Sequence, residues 1–171
     1  MNVVSKWRMA ICVLLFWQPQ PVLATDKTGE TLRAKIDGIY ALEEWHTNAG
    51  VFRPPQVDGR FILHRGAVAL ILHNRIEEAS QTTNASYGSY VLSSSGYSYR
   101  YEDTSIFTQT SSAVTVSHTA PWEGLRSFSV SNEGQTVVLR AAGGEQFSFS
   151  AEGLTYSEKG KVLRVWRRMR Q

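Results

Sequence analysis

The sequence predicts an all-β protein, a closed or nearly closed antiparallel β-barrel of about eight to ten strands. After Thr25, side chains alternate with a period of two along most segments, which is the periodicity of a strand. Turns that each contain a glycine separate these segments at intervals of about ten residues, as between short antiparallel neighbours. They are Arg65-Gly66, Ser95-Gly96, Asn132-Glu133-Gly134, Gly143-Gly144, Glu152-Gly153 and Lys159-Gly160. Closure is expected because an open sheet leaves exposed edges that invite aggregation.

The predicted strands follow one another along nearly the whole chain. They cover 39–46, 59–64, 67–73, 87–92, 97–108, 113–118, 125–130, 136–140, 146–149 and 162–168. Two segments depart from the alternation. Residues 25–35 are polar with two spaced apolar positions, and we predict a short lead-in helix there. Residues 74–85 are predicted to form a loop, with one helical turn over 76–79.

The first 24 residues have the layout of a secretory signal peptide. Lys6 and Arg8 precede an apolar run at 9–17, and a stretch with proline then ends at Ala24. The apolar run is much shorter than the roughly 20 residues that a membrane-spanning helix needs. We therefore expect cleavage after Ala24 and one barrel domain at residues 25–171, located in the periplasm or secreted and not spanning a membrane.

Charge and cysteine content exclude several classes of function. Without Lys6 and Arg8, the 18 basic side chains become 16 against 15 acidic ones. This near-neutral balance gives no long-range field for nucleic acid, so no nucleic-acid partner is predicted. The sole cysteine, Cys12, leaves with the leader, so the mature domain has neither disulfides nor thiolate chemistry and must be held by its core.

Short segments, taken together in their order and spacing, resemble the bacterial lipocalin-like domain family. These segments are Gly38-Ile39-Tyr40-Ala41-Leu42, Gly59-Arg60-Phe61-Ile62-Leu63, Tyr87-Gly88-Ser89-Tyr90, Ser117-His118, Pro121-Trp122-Glu123-Gly124-Leu125-Arg126 and Val165-Trp166-Arg167-Arg168. The resemblance spans about residues 36 to 168. It implies a small closed or nearly closed antiparallel barrel related to lipocalins, in a family that typically has no established activity.

The tryptophans and the C-terminal arginines are interpreted as structural. Trp45, Trp122 and Trp166 resemble the lipocalin arrangement in which an arginine lies over an aromatic ring at the closed end of the barrel. On this interpretation they close the barrel and contact no ligand. Arg164 and Arg168 share the face of Trp166, and the run of arginines is predicted to form a solvated last strand with a frayed end.

Histidines are the groups most suited to proton transfer near neutral pH. If the faces of His46, His64 and His118 point inward, three imidazoles and the carboxylate of Glu44 would line one lumen. Three roles stay open: core or rim histidines with satisfied hydrogen bonds, groups that orient a ligand, or metal ligands. No two have the i, i+2 spacing that places two ligands on one strand face, so no metal site is assigned.

Three tyrosines form a stripe along one face of a predicted strand. Tyr97, Tyr99 and Tyr101 alternate with Arg100 and Glu102, and we expect Asp103 to continue the stripe. A phenol ring offers apolar area with a hydrogen-bonding tip, which suits a cavity for an amphiphilic ligand. The alternative is that the rings coat the outer face as cross-strand pairs. The sequence leaves both arrangements open.

The function predicted from these features is binding of a small hydrophobic or amphiphilic molecule in the barrel lumen, without a cofactor. The residues assigned to the ligand are Glu44, His46, His64, Tyr99 and His118, with Arg126 meeting an acidic head group. All six assignments depend on strand register, since a shift of one residue turns a whole set outward.

Two other functions are compatible with the sequence. In the first, the barrel is a cyclase or isomerase type of enzyme, in which His46, His118 or Glu44 moves a proton while the pocket shapes the substrate. In the second, the barrel is filled by Tyr, Phe and Leu side chains and serves as an interaction module of the cell envelope. No Gly-x-Ser-x-Gly motif or phosphate-binding glycine loop is present to favour the enzyme.

Overall fold

The computed structural model describes residues 27–119 and 125–170. The predicted signal peptide at residues 1–24 lies outside the described residues, as does Trp122. Among the residues described, no helix has the length and apolar character to cross a bilayer.

One helix precedes a long series of strands. The elements are α1 (Lys27–Ile36), β1 (Gly38–Thr47), β2 (Gly50–Phe52), β3 (Val57–His64), β4 (Ala67–Glu77), β5 (Ser80–Leu92), β6 (Gly96–Thr110), β7 (Val114–Thr119), β8 (Arg126–Glu133), β9 (Thr136–Arg140), β10 (Glu145–Phe149), β11 (Gly153–Glu158) and β12 (Lys161–Arg168). The lead-in helix predicted from the sequence is therefore present.

The strands form a closed antiparallel barrel, which confirms the predicted fold class. Ten strands make the barrel, in the order β12-β11-β10-β9-β8-β6-β5-β4-β3-β1, and β12 pairs with β1 to close it. Of the other two described strands, β2 pairs with β1 and β7 pairs with β6. A ten-stranded barrel has a wider interior than one of eight strands, in which side chains just fill the lumen.

Burial alternates along β3 as the sequence pattern predicts for a strand with one face inside. Phe61 and Leu63 are buried, whereas the neighbouring His64 is exposed. The inner face takes bulky apolar side chains because each removes a large apolar area from water. Since β3 pairs with β4 over its whole length, the same alternation fixes which face of β4 points inward.

Helix α1 packs across one end of the barrel, called the helix end below. Its buried face consists of Leu32 and Ile36, one turn apart, which belong to the hydrophobic core. On the polar side, Lys35 donates a hydrogen bond to Asn132 Oδ1 (2.9 Å) and another to the carbonyl oxygen of Gly134 (3.2 Å), in the β8–β9 turn. These contacts hold the helix against the strand ends.

Aromatic and aliphatic side chains fill the helix end. Tyr40 and Phe149 are fully buried and meet edge to face, with ring centroids 5.8 Å apart. Arg168 lies over the Tyr40 ring at 5.4 Å, so an arginine does stack on an aromatic ring here. Arg168 is on β12 and Tyr40 is on β1, and the pairing of these two strands closes the barrel.

The structure corrects the prediction for the middle of the chain. Strand β4 continues to Glu77 and β5 begins at Ser80, so the predicted loop at 74–85 and its helical turn are wrong. Thr82 and Thr83, whose branched side chains suit a strand, pair with β4 on one side and β6 on the other. Strand β11 was also missed, because its short polar stretch between two glycine turns lacks strong alternation.

Candidate ligand-binding site

A cavity of about 350 Å³ lies inside the barrel, between the filled helix end and the opposite end. Its apolar lining comes from inward-facing positions on six strands, namely Phe61, Leu70, Leu72, Tyr99, Tyr101, Phe147, Leu154 and Trp166. Its polar lining consists of Asn84, Ser86, Thr104, Thr119, Arg126, Tyr156 and Arg164. The volume falls within the range of about 300–1,000 Å³ that small-molecule sites occupy.

The aromatic side of the cavity is rigidly built. Phe147 contacts Tyr156 with ring centroids 4.8 Å apart and Phe128 at 5.4 Å. Tyr99 stacks on Phe128 at 6.0 Å and meets Tyr101 edge to face at 5.6 Å. Each ring is thus fixed by at least one other, so the wall of the cavity is formed before any ligand enters.

The tyrosine stripe of β6 faces inward, which decides between the two arrangements that the sequence left open. Tyr97, Tyr99 and Tyr101 are all buried. The expected continuation at Asp103 is wrong, because Glu102 is an extra residue between the pairs Gly88–Tyr101 and Tyr87–Asp103. This bulge turns Asp103 outward and brings the next residue, Thr104, to the cavity.

A line of short polar side chains borders the cavity on β5 and β6. The hydroxyl of Ser86 donates to Asn84 Oδ1 at 2.9 Å and lies 2.9 Å from the Thr104 hydroxyl. Ser86 is the buried polar residue of this group, at 5% exposure. Because Asn84, Ser86 and Thr104 form hydrogen bonds with one another, this side of the cavity needs no ligand to complete its hydrogen bonds.

Arg126 is held in a network at the edge of the cavity. Its guanidinium donates to Glu145 Oε1 at 3.1 Å, and the Tyr156 hydroxyl donates to the same oxygen at 3.1 Å. Burial raises the pKa of Tyr99, and the positive charge of the nearby Arg126 opposes that rise only in part. The charge of Arg126 is therefore already balanced by Glu145.

Arg164 projects into the cavity from β12, where it pairs with Trp45 on one neighbouring strand and Tyr156 on the other. Its guanidinium lies 4.8 Å from the centre of the Trp45 ring and 5.8 Å from that of Tyr156. The buried Nε has no hydrogen-bond partner among the described residues. Burial lowers the pKa of Arg164, and no carboxylate in the described part of the chain offsets that effect.

Tyr99 and Arg126, two of the six residues assigned from the sequence, line the cavity. Glu44 and His46 do not; they contact each other at 2.8 Å on the outer side of the barrel, and Glu44 accepts hydrogen bonds from Arg53. The Arg53 and His46 contacts lower the pKa of Glu44. The ligand roles of all these residues stay predictions.

A bulge in β1 explains the placement of Glu44 and His46. Leu42 pairs with Trp166 and Glu44 pairs with Val165, so Glu43 is an extra residue on β1. Beyond it the two faces exchange, which turns Trp45 inward and the acid and imidazole outward. Alternation from Tyr40 onward predicts Glu44 and His46 on the inner face. The sequence contains no sign of the extra residue, so it does not predict the exchange of faces.

His64 and His118 are also apart from the cavity. His64 is exposed at the end of β3, one position after the buried Leu63. His118 lies on the exposed strand β7, with its Nδ1 3.0 Å from the Ser105 hydroxyl and a side chain that is 69% exposed. The three imidazoles are therefore not brought together, and the residues that the structure describes contain no group of metal-ligating side chains.

The residue missed by the sequence reasoning is Arg164. Its face was assigned correctly, since it was placed on the side of Trp166, which proves to be buried. The interpretation of this strand as solvated is wrong for that face, because Arg164 and Trp166 both line the cavity. The signal that could have identified it is an arginine two positions from a tryptophan in a strand with apolar neighbours.

Comparisons with family models, with curated proteins and with solved structures find no match for this chain. A function for the chain is therefore inferred from the geometry of its cavity.

Proposed function

We propose that this protein binds a small amphiphilic molecule inside its barrel. The observation that carries the proposal is the cavity of about 350 Å³, walled by rings and leucine side chains and closed at the helix end by a filled core. Apolar surface that enters such a space leaves water, which contributes roughly 25 cal/mol per Å². The polar groups of the lining give the ligand a preferred orientation.

The two alternative functions need different interiors. An interaction module with a solid barrel would leave no volume for a ligand, whereas this lumen has space. The acid–base enzyme predicted from the sequence needs an imidazole or a carboxylate, from His46, His118 or Glu44, beside its substrate. No such side chain is among the described residues that line the cavity, whose titratable members are tyrosines and arginines. Ligand binding is the function that these features favour.

Displacement of a fluorescent dye tests the proposal. N-phenyl-1-naphthylamine, which is neutral and fluoresces in apolar surroundings, is expected to bind to the protein and be displaced by decanoate. Leu70→Trp fills the cavity from β4 and should weaken dye binding about tenfold or more. Ile71→Trp adds the same side chain at the next position, which is 40% exposed, and should leave dye binding unchanged.

Two results would contradict the proposal. One is the absence of saturable dye binding to the folded wild-type protein. The other is an equal effect of the two tryptophan variants, which would place the dye on the outer surface. Circular dichroism of each variant checks that the barrel is intact.

We also propose that the protein is exported and related to the bacterial lipocalin-like domain family. Residues 1–24 support export by their charged start, apolar run and small residue at Ala24. The closed antiparallel barrel is compatible with the kinship. Export predicts that the protein in a periplasmic or culture-medium fraction of its host begins at Thr25, which intact mass measures. A protein that keeps residues 1–24 in the cytoplasm would refute this.

A further inference from the structure

Three arginines approach the inner face of the barrel, and their partners differ. Arg126 has the carboxylate of Glu145 at 3.1 Å. Arg168 donates to the carbonyl oxygens of Lys35 (2.7 Å) and Asp37 (2.6 Å), and to the Tyr40 hydroxyl (3.1 Å). Arg164 has neither a carboxylate nor a hydrogen-bond acceptor among the described residues, although its Nε is buried. No carboxylate of the described residues therefore balances the positive charge that Arg164 brings to the cavity.

The tyrosines around Arg164 do not balance its charge. Tyr99, Tyr101 and Tyr156 are the titratable groups that face it. Burial raises the pKa of all three, so each hydroxyl is neutral at physiological pH. Neutral phenols can donate hydrogen bonds to an anion, but they cannot supply the missing negative charge.

A guanidinium whose buried Nε–H has no acceptor among the described residues is unfavourable for the empty protein. Arginine keeps its charge at all ordinary pH values, so it cannot relieve the cost by losing a proton. The rings of Trp45 and Tyr156 offset part of that cost by cation–π attraction. An anion that enters the cavity would restore both the charge balance and the hydrogen bonds.

We propose that the amphiphile is a carboxylate whose head group pairs with Arg164 while its apolar chain lies against Phe61, Leu70 and Leu72. This inference rests on the proposed function and names the class of ligand. A guanidinium presents a planar pair of donors that matches the two oxygens of a carboxylate. Because Glu145 already balances Arg126, the described lining holds one charge without a carboxylate partner, that of Arg164, which suits a singly charged head group more than a doubly charged one.

Arg126 was the residue expected from the sequence to meet an acidic head group. Arg126 forms an ion pair with Glu145, whereas Arg164 has no carboxylate partner among the described residues. Arg126 still lines the cavity and, through Tyr99, lies next to the proposed head-group position.

Competition between matched ligands tests the inference. Decanoate, decanol and decyl phosphate share one alkyl chain, and each is used to displace N-phenyl-1-naphthylamine from the full wild-type protein. Decanoate is expected to bind about tenfold or more tightly than decanol, which is the worth of a charge-assisted hydrogen bond in a buried site. Decyl phosphate, doubly charged at pH 8, should bind less tightly than decanoate.

Substitutions in β12 test whether Arg164 causes the preference for decanoate over decanol. Arg164→Met should remove the preference for decanoate and leave decanol affinity within about twofold. Arg167→Met is the matched control, because Arg167 points outward to Glu43 at 2.8 Å, and it should keep the preference. Arg164→Lys keeps the charge but not the planar donor pair, so it should retain part of the preference for decanoate. This variant replaces Arg164→Met in the test if the methionine variant fails to fold.

The outcomes separate this inference from the proposed function. If decanol displaces the dye from the wild-type protein as well as decanoate does, the carboxylate assignment is wrong and the binding function stands. The carboxylate assignment is equally wrong if Arg164→Met and Arg167→Met lose the preference to the same extent, or if decyl phosphate binds most tightly. If none of the three ligands displaces the dye and no dye binds, both proposals fail.

Discussion

Arg164 and Arg168 are four residues apart on the same face of β12. Their surroundings differ, so one stabilises the fold and the other does not. Arg168 ends near the helix end, where it donates to carbonyl oxygens of the helix C-terminus and to Tyr40. Such contacts satisfy helix carbonyls that have no partner within the helix. Arg164 instead ends in the cavity without an acceptor among the described residues. One residue stabilises the fold and the other is available to a ligand.

Methionine substitutions should separate these two roles. Arg168→Met leaves the carbonyl oxygens of Lys35 and Asp37 without their donor and should reduce the free energy of unfolding by about 2–4 kcal/mol. Arg164→Met removes a partly buried charge that has no carboxylate partner among the described residues, and it should leave the free energy of unfolding of the ligand-free protein unchanged or higher. Urea unfolding measures both. Equal losses in the two variants would show that Arg164 has a structural role.

At some positions, the alternation of side chains along a strand is enough to predict which residues share a face. The buried tyrosines Tyr97 and Tyr99 share one face, as alternation predicts, because no irregularity interrupts that part of β6. Which face is inner was not predictable, since tyrosine suits both sides of a sheet. The answer depends on the rings of Phe128 and Phe147, which contact the tyrosines from β8, the neighbouring strand in the sheet, and from β10.

At the scale of the element, two bulges determine which side chains reach the cavity. The extra residue Glu43 in β1 turns Glu44 outward, and the extra residue Glu102 in β6 brings Thr104 inward. Bulges bend a strand and increase its twist, which helps a sheet to close. Each depends on pairing with a second strand, β12 for the bulge in β1 and β5 for the bulge in β6, so neither could be located from the alternation within one segment.

Gly88 allows the close approach of β5 and β6 beside the second bulge. A Cβ at this position would lie 2.0 Å from the carbonyl oxygen of Arg100, so Gly88→Ala should force the strands apart. We expect a loss of about 1–3 kcal/mol in the free energy of unfolding, as for other overpacked sites, together with weaker dye binding. Gly143→Ala is the control, because its Cβ would have no neighbour within 4 Å. Unchanged stability of Gly88→Ala would contradict the observed strand approach.

At the scale of the whole molecule, the barrel divides into a filled helix end and a hollow part. The pairing of β12 with β1 closes the wall, and α1 with its buried Leu32 and Ile36 covers the filled end. The fold class was predictable because alternation and turns recur along nearly the whole chain. The position of the cavity was not, since it depends on how side chains from many strands share the interior.

The buried tyrosines should make the protein sensitive to alkali. Burial raises the pKa of Tyr40 and of Tyr156 from 10.0 to about 12, so the folded state holds these protons more tightly than the unfolded state. This contribution to stability is fully present below pH 10 and is lost as the pH rises through about 12. Tyrosinate absorbance should therefore rise together with loss of the near-ultraviolet circular dichroism. Titration of all tyrosines near pH 10 with the fold intact would contradict the burial.

A crystal structure of the protein with decanoate would test the central claim most directly. The account predicts density for the alkyl chain between Leu70 and Phe147, with the carboxylate within hydrogen-bond distance of the Arg164 guanidinium. An empty lumen at saturating decanoate, or decanoate bound only on the outer surface of the barrel, would contradict it.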